Sequence, residues 1–359
     1  MAKGSNKNIK TDSRVLSDGN LKKFLLGNSE QRNAIIEYVD KRLNNGSKSI
    51  ALCFRGNYFC LYYRCHKLLD VKFNNGKLLA NFDFSHAKFI RSDKIFNQIV
   101  KVLKNKYRVE GIKDDCSGPI KNTITFDLLK TSGDDIKKIL HVYTYVTDQF
   151  VVRPGGIEYR FGRKENTKGN SRSSKNTEKD RQQALYSQNF CSEDKFIYDV
   201  EYVEPDRRNK HVDGRFDLLG LVRKGDKYFL ELIELKSEYR ACFDDKTADV
   251  KKHLKDYKEY LSNGELVNNR IDEAYEILEL MRALFPEKVR FKLEDRPTAR
   301  VRFIFSDDVV GCVHKQEDGT VTLKDDRKHK KSKIIETIPL NVQVSIINKT
   351  GGEESYTQQ

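Results

Sequence analysis

The sequence lacks the features that mark membrane and secreted proteins. None of its apolar runs approaches the roughly 20 residues that a membrane-spanning helix needs. The polar start Met1–Asn6 contains no apolar signal-peptide segment. We therefore expect a soluble, cytoplasmic protein without a membrane partner.

Cysteine is scarce and scattered. The seven cysteines lie between Cys53 and Cys312 with no C-x-x-C spacing, which argues against a disulfide framework and against a zinc knuckle. Cys60, Cys65 and His66 form the tightest group, but they lie in an apolar, aromatic run where packing in a core is the better interpretation. Reduced thiols in a cytoplasm fit this distribution.

Acidic residues are outnumbered by basic ones. The 359 residues include 67 Lys and Arg against 53 Asp and Glu, which gives a formal net charge of +14. Such a chain attracts polyanions, and the release of counterions from nucleic acid would add affinity that does not depend on sequence. A soluble basic protein without a nucleic-acid partner would have the same charge. The length is sufficient for two ordinary domains.

The first half of the chain groups no acids or histidines and has no glycine-rich phosphate loop. β-formers dominate from Ile50 to Phe84, and the turn signals Arg55-Gly56-Asn57 and Asn74-Asn75-Gly76-Lys77 divide this run into hairpins. We predict an antiparallel meander, with helices near 34–39 and 95–103 and strands near 124–129 and 142–146. After a mobile tail (1–20), residues 21–160 then form a separate α+β N-terminal domain for recognition or regulation.

The second half is predicted to be a different domain. No large apolar residue occurs between Arg163 and Asn176, so we place a basic linker at 161–176 and a domain at 177–347, followed by a mobile tail at 348–359. A basic arm that orders on a phosphate backbone is the alternative for the linker. The domain's patterns predict, in order, a helix from Thr177, strands at 196–203, 215–222 and 228–235, helices at 250–261 and 271–285, and strands at 300–305 and 338–347. This order predicts an α/β sandwich.

Two neighbouring predicted strands carry acids and a lysine. Asp217 opens one apolar strand, and Glu234 and Lys236 close the next on a common face. A hairpin that turns near Gly225 can bring Asp217 beside Glu234. Buried carboxylates are costly without a compensating cation, and Mg²⁺ prefers carboxylate, carbonyl and water oxygens. We predict that Asp217, Glu234 and the Leu235 carbonyl bind Mg²⁺, or Mn²⁺ in its place.

Two further side chains have roles in this hypothesis. Lys236 would orient the attacking water or stabilise the charge that develops on the phosphorus oxygens. Glu178 would add an outer-shell or second-metal contact, unless it is an exposed glutamate favoured by a helix N-terminus. The acid-x-lysine pattern is weak alone, because the polar stretch Glu193-Asp194-Lys195 repeats it. A structural ion pair between Asp217 and Lys236 at a sheet edge is the alternative.

From Thr177 to near Phe305 the sequence resembles the PD-(D/E)XK nuclease superfamily. Asp217 matches the first motif acid, although Phe216 stands where the motif name has proline, and Glu234-Leu235-Lys236 matches the second motif. The resemblance implies a C-terminal restriction-endonuclease-like α/β/α core with a mixed sheet. It also implies that Asp217, Glu234 and Lys236 are catalytic.

The helices on either side of these strands extend the resemblance. Glu178 would match the glutamate often found on the family's first helix, as a further catalytic and metal-binding residue. The helix after the second motif often carries a glutamine and, a turn later, a tyrosine, and here His253 stands in place of the glutamine before Tyr257. His253 in this position implies either a different outer-shell contact or a helix that only packs.

These observations predict a Mg²⁺-dependent endodeoxyribonuclease similar to bacterial restriction and phage-defence nucleases, the Shedu type among them. Contacts to nucleic acid are expected from the basic stretch ahead of the Asp217 strand and from the helix after the second motif: Arg207, Arg208, Lys210 and His253. Cutting both strands with one site per chain favours a homodimer or larger homo-oligomer. The alternatives are an RNA endonuclease, and a catalytically inactive nucleic-acid-binding or assembly protein with the same fold.

Overall fold

The computed structural model describes residues 15–83, 123–151, 178–203, 215–237, 242, 250–306, 309–318, 320–325, 333–338, 342–347 and 353–355. These residues form six α-helices and fourteen strands in three sheets, so the fold is mixed α/β. The predicted helix at 95–103 and the predicted linker at 161–176 lie outside them. No helix in this part of the chain has the length and the apolar composition to span a membrane.

Two capped helices precede the first sheet. Helix α1 (Gly19–Leu26) starts where the Asp18 carboxylate accepts hydrogen bonds from two backbone N–H groups, and α2 (Glu30–Asp40) starts at Ser29 in the same way. Helix α1 begins inside the segment predicted as a mobile tail. Helix α2 contains the apolar residues from which a helix near 34–39 was predicted.

The first sheet is the predicted antiparallel meander. Its strands lie in chain order, each paired with the next: β1 (Ile50–Phe54), β2 (Tyr58–Tyr63), β3 (His66–Asn74), β4 (Lys77–Asp83) and β5 (Thr123–Asp127). Gly56 and Gly76 have φ of +66° and +74° at two of its turns, where residues with a side chain are disfavoured. The turn signals in the sequence therefore have a direct conformational cause.

The strand predicted near 142–146 is wrong. These residues lie inside helix α3 (Gly133–Val151). Ile136, Ile139, Leu140 and Tyr143 are fully buried and recur at the spacing of one helical face. This buried stripe outweighs the β-propensity of the local Val, Tyr and Thr residues, because that propensity depends strongly on context.

The second sheet is mixed and contains six strands in the order β14-β13-β9-β8-β7-β6. Strands β6, β7 and β8 are antiparallel neighbours, whereas β9 pairs in parallel with β8 and β13. The elements of this region follow the predicted order: α4 (Glu178–Phe190), β6 (Lys195–Val203), β7 (Arg215–Lys224), β8 (Lys227–Lys236), α5 (Val250–Ser262), α6 (Gly264–Leu284) and β9 (Thr298–Ser306).

The single strand predicted at 338–347 is also wrong. Its residues divide between β12 (Lys333–Ile338), in a small sheet with β10 (Val313–Lys315) and β11 (Val321–Asp325), and β13 (Gln343–Ile347) in the six-stranded sheet. The sequence places Pro339 directly after β12, and a proline cannot donate a hydrogen bond to a strand ladder. Strand β14 (Glu353–Ser355) pairs with β13 inside the segment predicted as a C-terminal tail.

The two halves of the chain pack against each other. Strand β1 lies against the edge strand β6, and α4 packs on β1. The buried apolar side chains of both halves form one continuous cluster. A buried ion pair between Arg55 and Asp199, with 2.5 Å between Nη2 and Oδ1, crosses the same boundary. Helix α4 therefore contacts the first sheet as well as the second.

Candidate functional site

Asp217 lies where β7 and β8 separate. The antiparallel pairing of the two strands runs from Lys224 opposite Lys227 to Leu218 opposite Ile233, and Asp217 is the next residue. Its Oδ2 accepts a hydrogen bond of 2.7 Å from the Leu235 N–H. The carboxylate therefore takes the place of a backbone partner and is fixed beside the last residues of β8.

Glu234 and Lys236 form a buried ion pair at the end of β8. The Lys236 Nζ donates to Glu234 Oε1 at 2.7 Å, and each side chain is only 6% exposed. Their parallel partners on β9 are Phe303 and Phe305, which are completely buried. The two charged groups therefore share one face of the strand, as their spacing indicated, within apolar surroundings.

Helix α5 supplies two more contacts to Glu234. The Tyr257 hydroxyl donates to Glu234 Oε2, and His253, one turn earlier, lies with Nε2 3.4 Å from Oε1. The His253 Nδ1 is 3.0 Å from the Tyr257 hydroxyl. The Tyr257 ring packs on Phe216, with 5.0 Å between ring centroids. Each oxygen of Glu234 thus has its own partners, which fix the orientation of the carboxylate.

Tyr257 is a member of the site that the sequence analysis did not assign. It was noted only as the tyrosine that follows His253, and its spacing of four residues from His253 puts both on one helix face. His253 has a side chain that is 13% exposed and contacts Glu234. Its predicted contact with nucleic acid stays a prediction.

Glu178, the first residue of α4, reaches the same end of β8. Its Oε2 accepts hydrogen bonds from Ser237, 3.3 Å from the backbone N–H and 3.1 Å from the hydroxyl. The Ser306 hydroxyl donates to the Ser237 carbonyl at 3.2 Å. Glu178 therefore contacts the residue next to Lys236 rather than only the solvent around a helix N-terminus.

The charges of this group influence each other. Burial raises the pKa of Glu178, and the nearby Glu234 raises it further, against the opposite effect of Lys236. Burial alone would lower the pKa of Lys236, but the charges of Glu234, Asp217 and Glu178 raise it overall. Burial lowers the pKa of His253, against the opposite effect of Glu234. The three carboxylates and one ammonium carry a formal charge of −2.

The carboxylate oxygens of Asp217 and Glu234 and the carbonyl oxygen of Leu235 are the kind of ligand atoms that a hard cation binds. Within the described ranges, no group of three or more His, Cys, Asp or Glu side chains is arranged to hold a metal ion. Mg²⁺, however, is commonly bound by only one or two carboxylates, with water and substrate phosphate completing its shell. A strand residue directs its N–H and C=O towards the same neighbouring strand. The Leu235 carbonyl therefore lies on the side of Asp217, which accepts from the Leu235 N–H.

The other predicted residues fall into two groups. Arg207, Arg208 and Lys210 lie outside the described residues, so their contact with nucleic acid stays a prediction. The acid-x-lysine stretch Glu193-Asp194-Lys195 has both acids exposed, and Asp194 pairs with Arg223 at 2.8 Å. In contrast, Glu234 and Lys236 are buried, and Asp217 of a second strand lies beside them.

A second buried charge cluster lies on β8, and the sequence analysis missed it. Glu231 is completely buried, and its Oε1 accepts from Arg300 Nε at 2.9 Å while Oε2 accepts from Arg302 Nη1 at 2.8 Å. Arg302 also donates to the Ser345 hydroxyl at 2.7 Å. Burial would raise the pKa of Glu231, but Arg302 and Arg300 together lower it.

Comparisons with family models, curated proteins and solved structures found no match for this chain. The functional interpretation therefore depends on the residues of the site itself. Among the described residues, its distinguishing feature is an excess of carboxylates around the Lys236 ammonium at the ends of two strands.

Proposed function

We propose that this protein is a metal-dependent endonuclease that hydrolyses phosphodiester bonds of DNA. The observation that carries the proposal is the convergence of Asp217, Glu234 and Lys236, with Glu178 nearby, at one end of β8. A phosphodiester is anionic, so an excess of carboxylates alone would repel it. A divalent cation would neutralise the formal charge of −2 and account for both the acids and the substrate.

Asp217, Glu234 and the Leu235 carbonyl would hold the cation. When bound, Mg²⁺ polarises the scissile phosphate and lowers the pKa of a coordinated water. The interactions of Glu234 support this assignment, because Tyr257 and His253 orient its carboxylate before any ligand arrives. Such preorganisation removes the cost of ordering the ligand during the reaction.

Lys236 would stabilise negative charge on the reacting phosphate. Its ammonium lies at the strand end and is held there by Glu234. An ammonium group in apolar surroundings interacts strongly with developing charge, because little water screens it. Glu178 would act from the outer side of the site, where it binds Ser237.

The preference for DNA and the biological role rest on the sequence motifs. The resemblance to PD-(D/E)XK nucleases supports a restriction-endonuclease-like α/β/α core from residue 177 onwards and a role in restriction or phage defence. The net charge of +14 suits a polyanionic substrate. The N-terminal region, residues 21–160, would recognise the substrate or regulate cleavage. A homodimer or larger assembly would cut both strands.

The test is a cleavage assay with matched variants. Purified protein is incubated with supercoiled, linear and single-stranded DNA and with RNA, in Mg²⁺, Mn²⁺ or EDTA. We expect cleavage of DNA that requires the metal and is lost in Asp217→Asn and Glu234→Gln. Glu193→Gln, which alters an exposed acid-x-lysine stretch, is the control and should cleave normally.

Two results would overturn the proposal. The first is the absence of metal-dependent cleavage of every substrate, and the second is full activity of Asp217→Asn. Binding of DNA without hydrolysis would favour a binding protein with the same fold. Cleavage of RNA alone would retain the reaction and change the substrate.

A further inference from the structure

The turn between β2 and β3 holds the first turn of helix α4. Arg64 and Cys65 form this turn and have φ of +53° and +50°, a region that residues other than glycine seldom adopt. The Arg64 guanidinium donates to both oxygens of Asp180, from Nε at 2.6 Å and from Nη2 at 2.7 Å. This paired geometry is the strongest form of a charged hydrogen bond.

The backbone of the turn binds α4 as well. The Cys65 N–H donates to Gln183 Oε1 at 2.9 Å, and the Cys65 carbonyl accepts from Lys179 Nζ at 3.3 Å. Gln183 also donates to the Ser49 hydroxyl at 3.1 Å. The start of α4 is therefore fixed to the first sheet by several hydrogen bonds at once.

The same helix turn carries Glu178. Asp180 is two residues from Glu178, whose carboxylate binds Ser237 beside Lys236. Asp180 is 2% exposed, so loss of Arg64 would remove two charge-assisted hydrogen bonds from a buried carboxylate, which is destabilising. The helix can relieve that cost by moving or opening its first turn, where helices are least stable. Either response would displace Glu178.

We propose that Arg64 is a positioning residue that sets the place of the Glu178 carboxylate beside Lys236 and thereby couples the first sheet to the candidate active site. The effect on cleavage rests on the proposed nuclease function. The coupling itself is a physical property of the contacts from Arg64 through Asp180 and Glu178 to Ser237.

Hydrogen exchange tests the coupling without any assumption about activity. The exchange rate of the Ser237 amide is measured in the full-length wild type, Arg64→Ala and Arg55→Ala. Arg55 is the matched control, because its buried pair with Asp199 also joins the two halves. We expect exchange at Ser237 to accelerate at least about tenfold in Arg64→Ala and to stay unchanged in Arg55→Ala. An unchanged rate in Arg64→Ala, or equal acceleration in both variants, would overturn the inference.

A double-mutant cycle tests the consequence for cleavage. Arg64→Lys keeps the charge but loses the paired hydrogen bonds, and it also serves in the hydrogen-exchange experiment if Arg64→Ala does not fold. We expect Arg64→Lys to slow cleavage in the wild-type background and to have no further effect in Glu178→Gln. Additive effects would contradict a route through Glu178. If the wild type cleaves nothing, the proposed function fails, while the Ser237 exchange rates still decide the coupling.

Discussion

The two buried charge clusters of β8 differ in their balance of charge. Around Glu231, two arginines surround one carboxylate, and they lower its pKa although it is completely buried. Around Lys236, three carboxylates surround one ammonium, and the pKa of Glu178 is raised. The first cluster is neutralised from within the fold. In the second, the described carboxylates outnumber the ammonium, and the charge of Glu234 repels that of Glu178.

This difference separates a structural ion cluster from a candidate reaction site. A buried carboxylate in a folded chain is tolerated when paired hydrogen bonds replace its lost hydration. Glu231 meets that condition through Arg300 and Arg302. The carboxylates near Lys236 are hydrogen-bonded as well, but the charge of Glu234 raises the pKa of Glu178. In the proposed function, a bound divalent cation would offset this repulsion.

The largest expected effect is on cleavage by Glu234→Gln. The substitution removes a proposed ligand for the cation, so we expect the cleavage rate to fall about 1000-fold or more. The free energy of unfolding should fall less than in Glu231→Gln, because the charges of Asp217 and Glu178 remain near Lys236. Single-turnover cleavage and urea denaturation measure the two quantities. Normal cleavage, or a severe loss of stability, would remove the contrast between the clusters.

The opposite pattern is expected for Glu231→Gln. It leaves Arg300 and Arg302 without their buried anion, and we expect the free energy of unfolding to fall by about 3 kcal/mol. The cleavage rate of the folded protein should be unchanged. Glu276→Gln, at an exposed pair with Lys22 whose atoms are 4.0 Å apart, is the control and should cost less than about 1 kcal/mol. Loss of cleavage in a stably folded Glu231→Gln would contradict this assignment.

A smaller effect is expected for Tyr257→Phe. The variant keeps the ring that packs on Phe216 and removes the hydroxyl that holds Glu234. A hydrogen bond to a charged group contributes roughly 1.5 kcal/mol or more, so we expect the cleavage rate to fall about tenfold. Tyr260→Phe is the matched control, because its ring also packs on Phe216. Equal losses in both variants would show that ring packing, rather than the contact to Glu234, sets the rate.

The smallest effect is a difference in the response to acid. Because the folded protein lowers the pKa of Glu231 from its ordinary value of 4.5, this ion cluster stabilises the fold above that value. The stabilisation is lost as the pH falls through the lowered folded-state pKa. The difference in unfolding free energy between wild type and Glu231→Gln should therefore shrink on acidification. Urea denaturation across a pH series measures it, and a constant or growing difference would contradict the lowered pKa.

Local features explain why the core of the site was predictable. The two-residue turn at Gly225 and Asp226 pairs Lys224 with Lys227, and this pairing sets the register along the whole hairpin. This register places Asp217 and Glu234 at the end of the hairpin opposite the turn, and no contact with a distant part of the sequence is needed to predict it. The predicted convergence depended only on strand alternation and one turn, both of which are visible in the sequence.

Contacts between distant segments were not predictable in the same way. Glu231 meets Arg300 and Arg302 because β8 and β9 pair in parallel after two intervening helices, and no spacing in the sequence encodes that register. The hydrogen bonds from Arg64 to Asp180 likewise join a turn of the first sheet to helix α4, which is distant in sequence.

The two wrong strand predictions, at 142–146 and 338–347, have local causes. The first followed β-propensity where a buried helical stripe decides the structure, and the second ran through a proline that ends the strand.

The most direct test of the account is a calorimetric titration with Mn²⁺, which reports cation binding independently of cleavage. Wild type should show a saturable site that is retained in Glu231→Gln and lost in Asp217→Asn. This result would show that the carboxylates near Lys236, rather than buried charge in general, bind the cation. No binding by the wild type, or equal affinity in Asp217→Asn, would contradict the central claim.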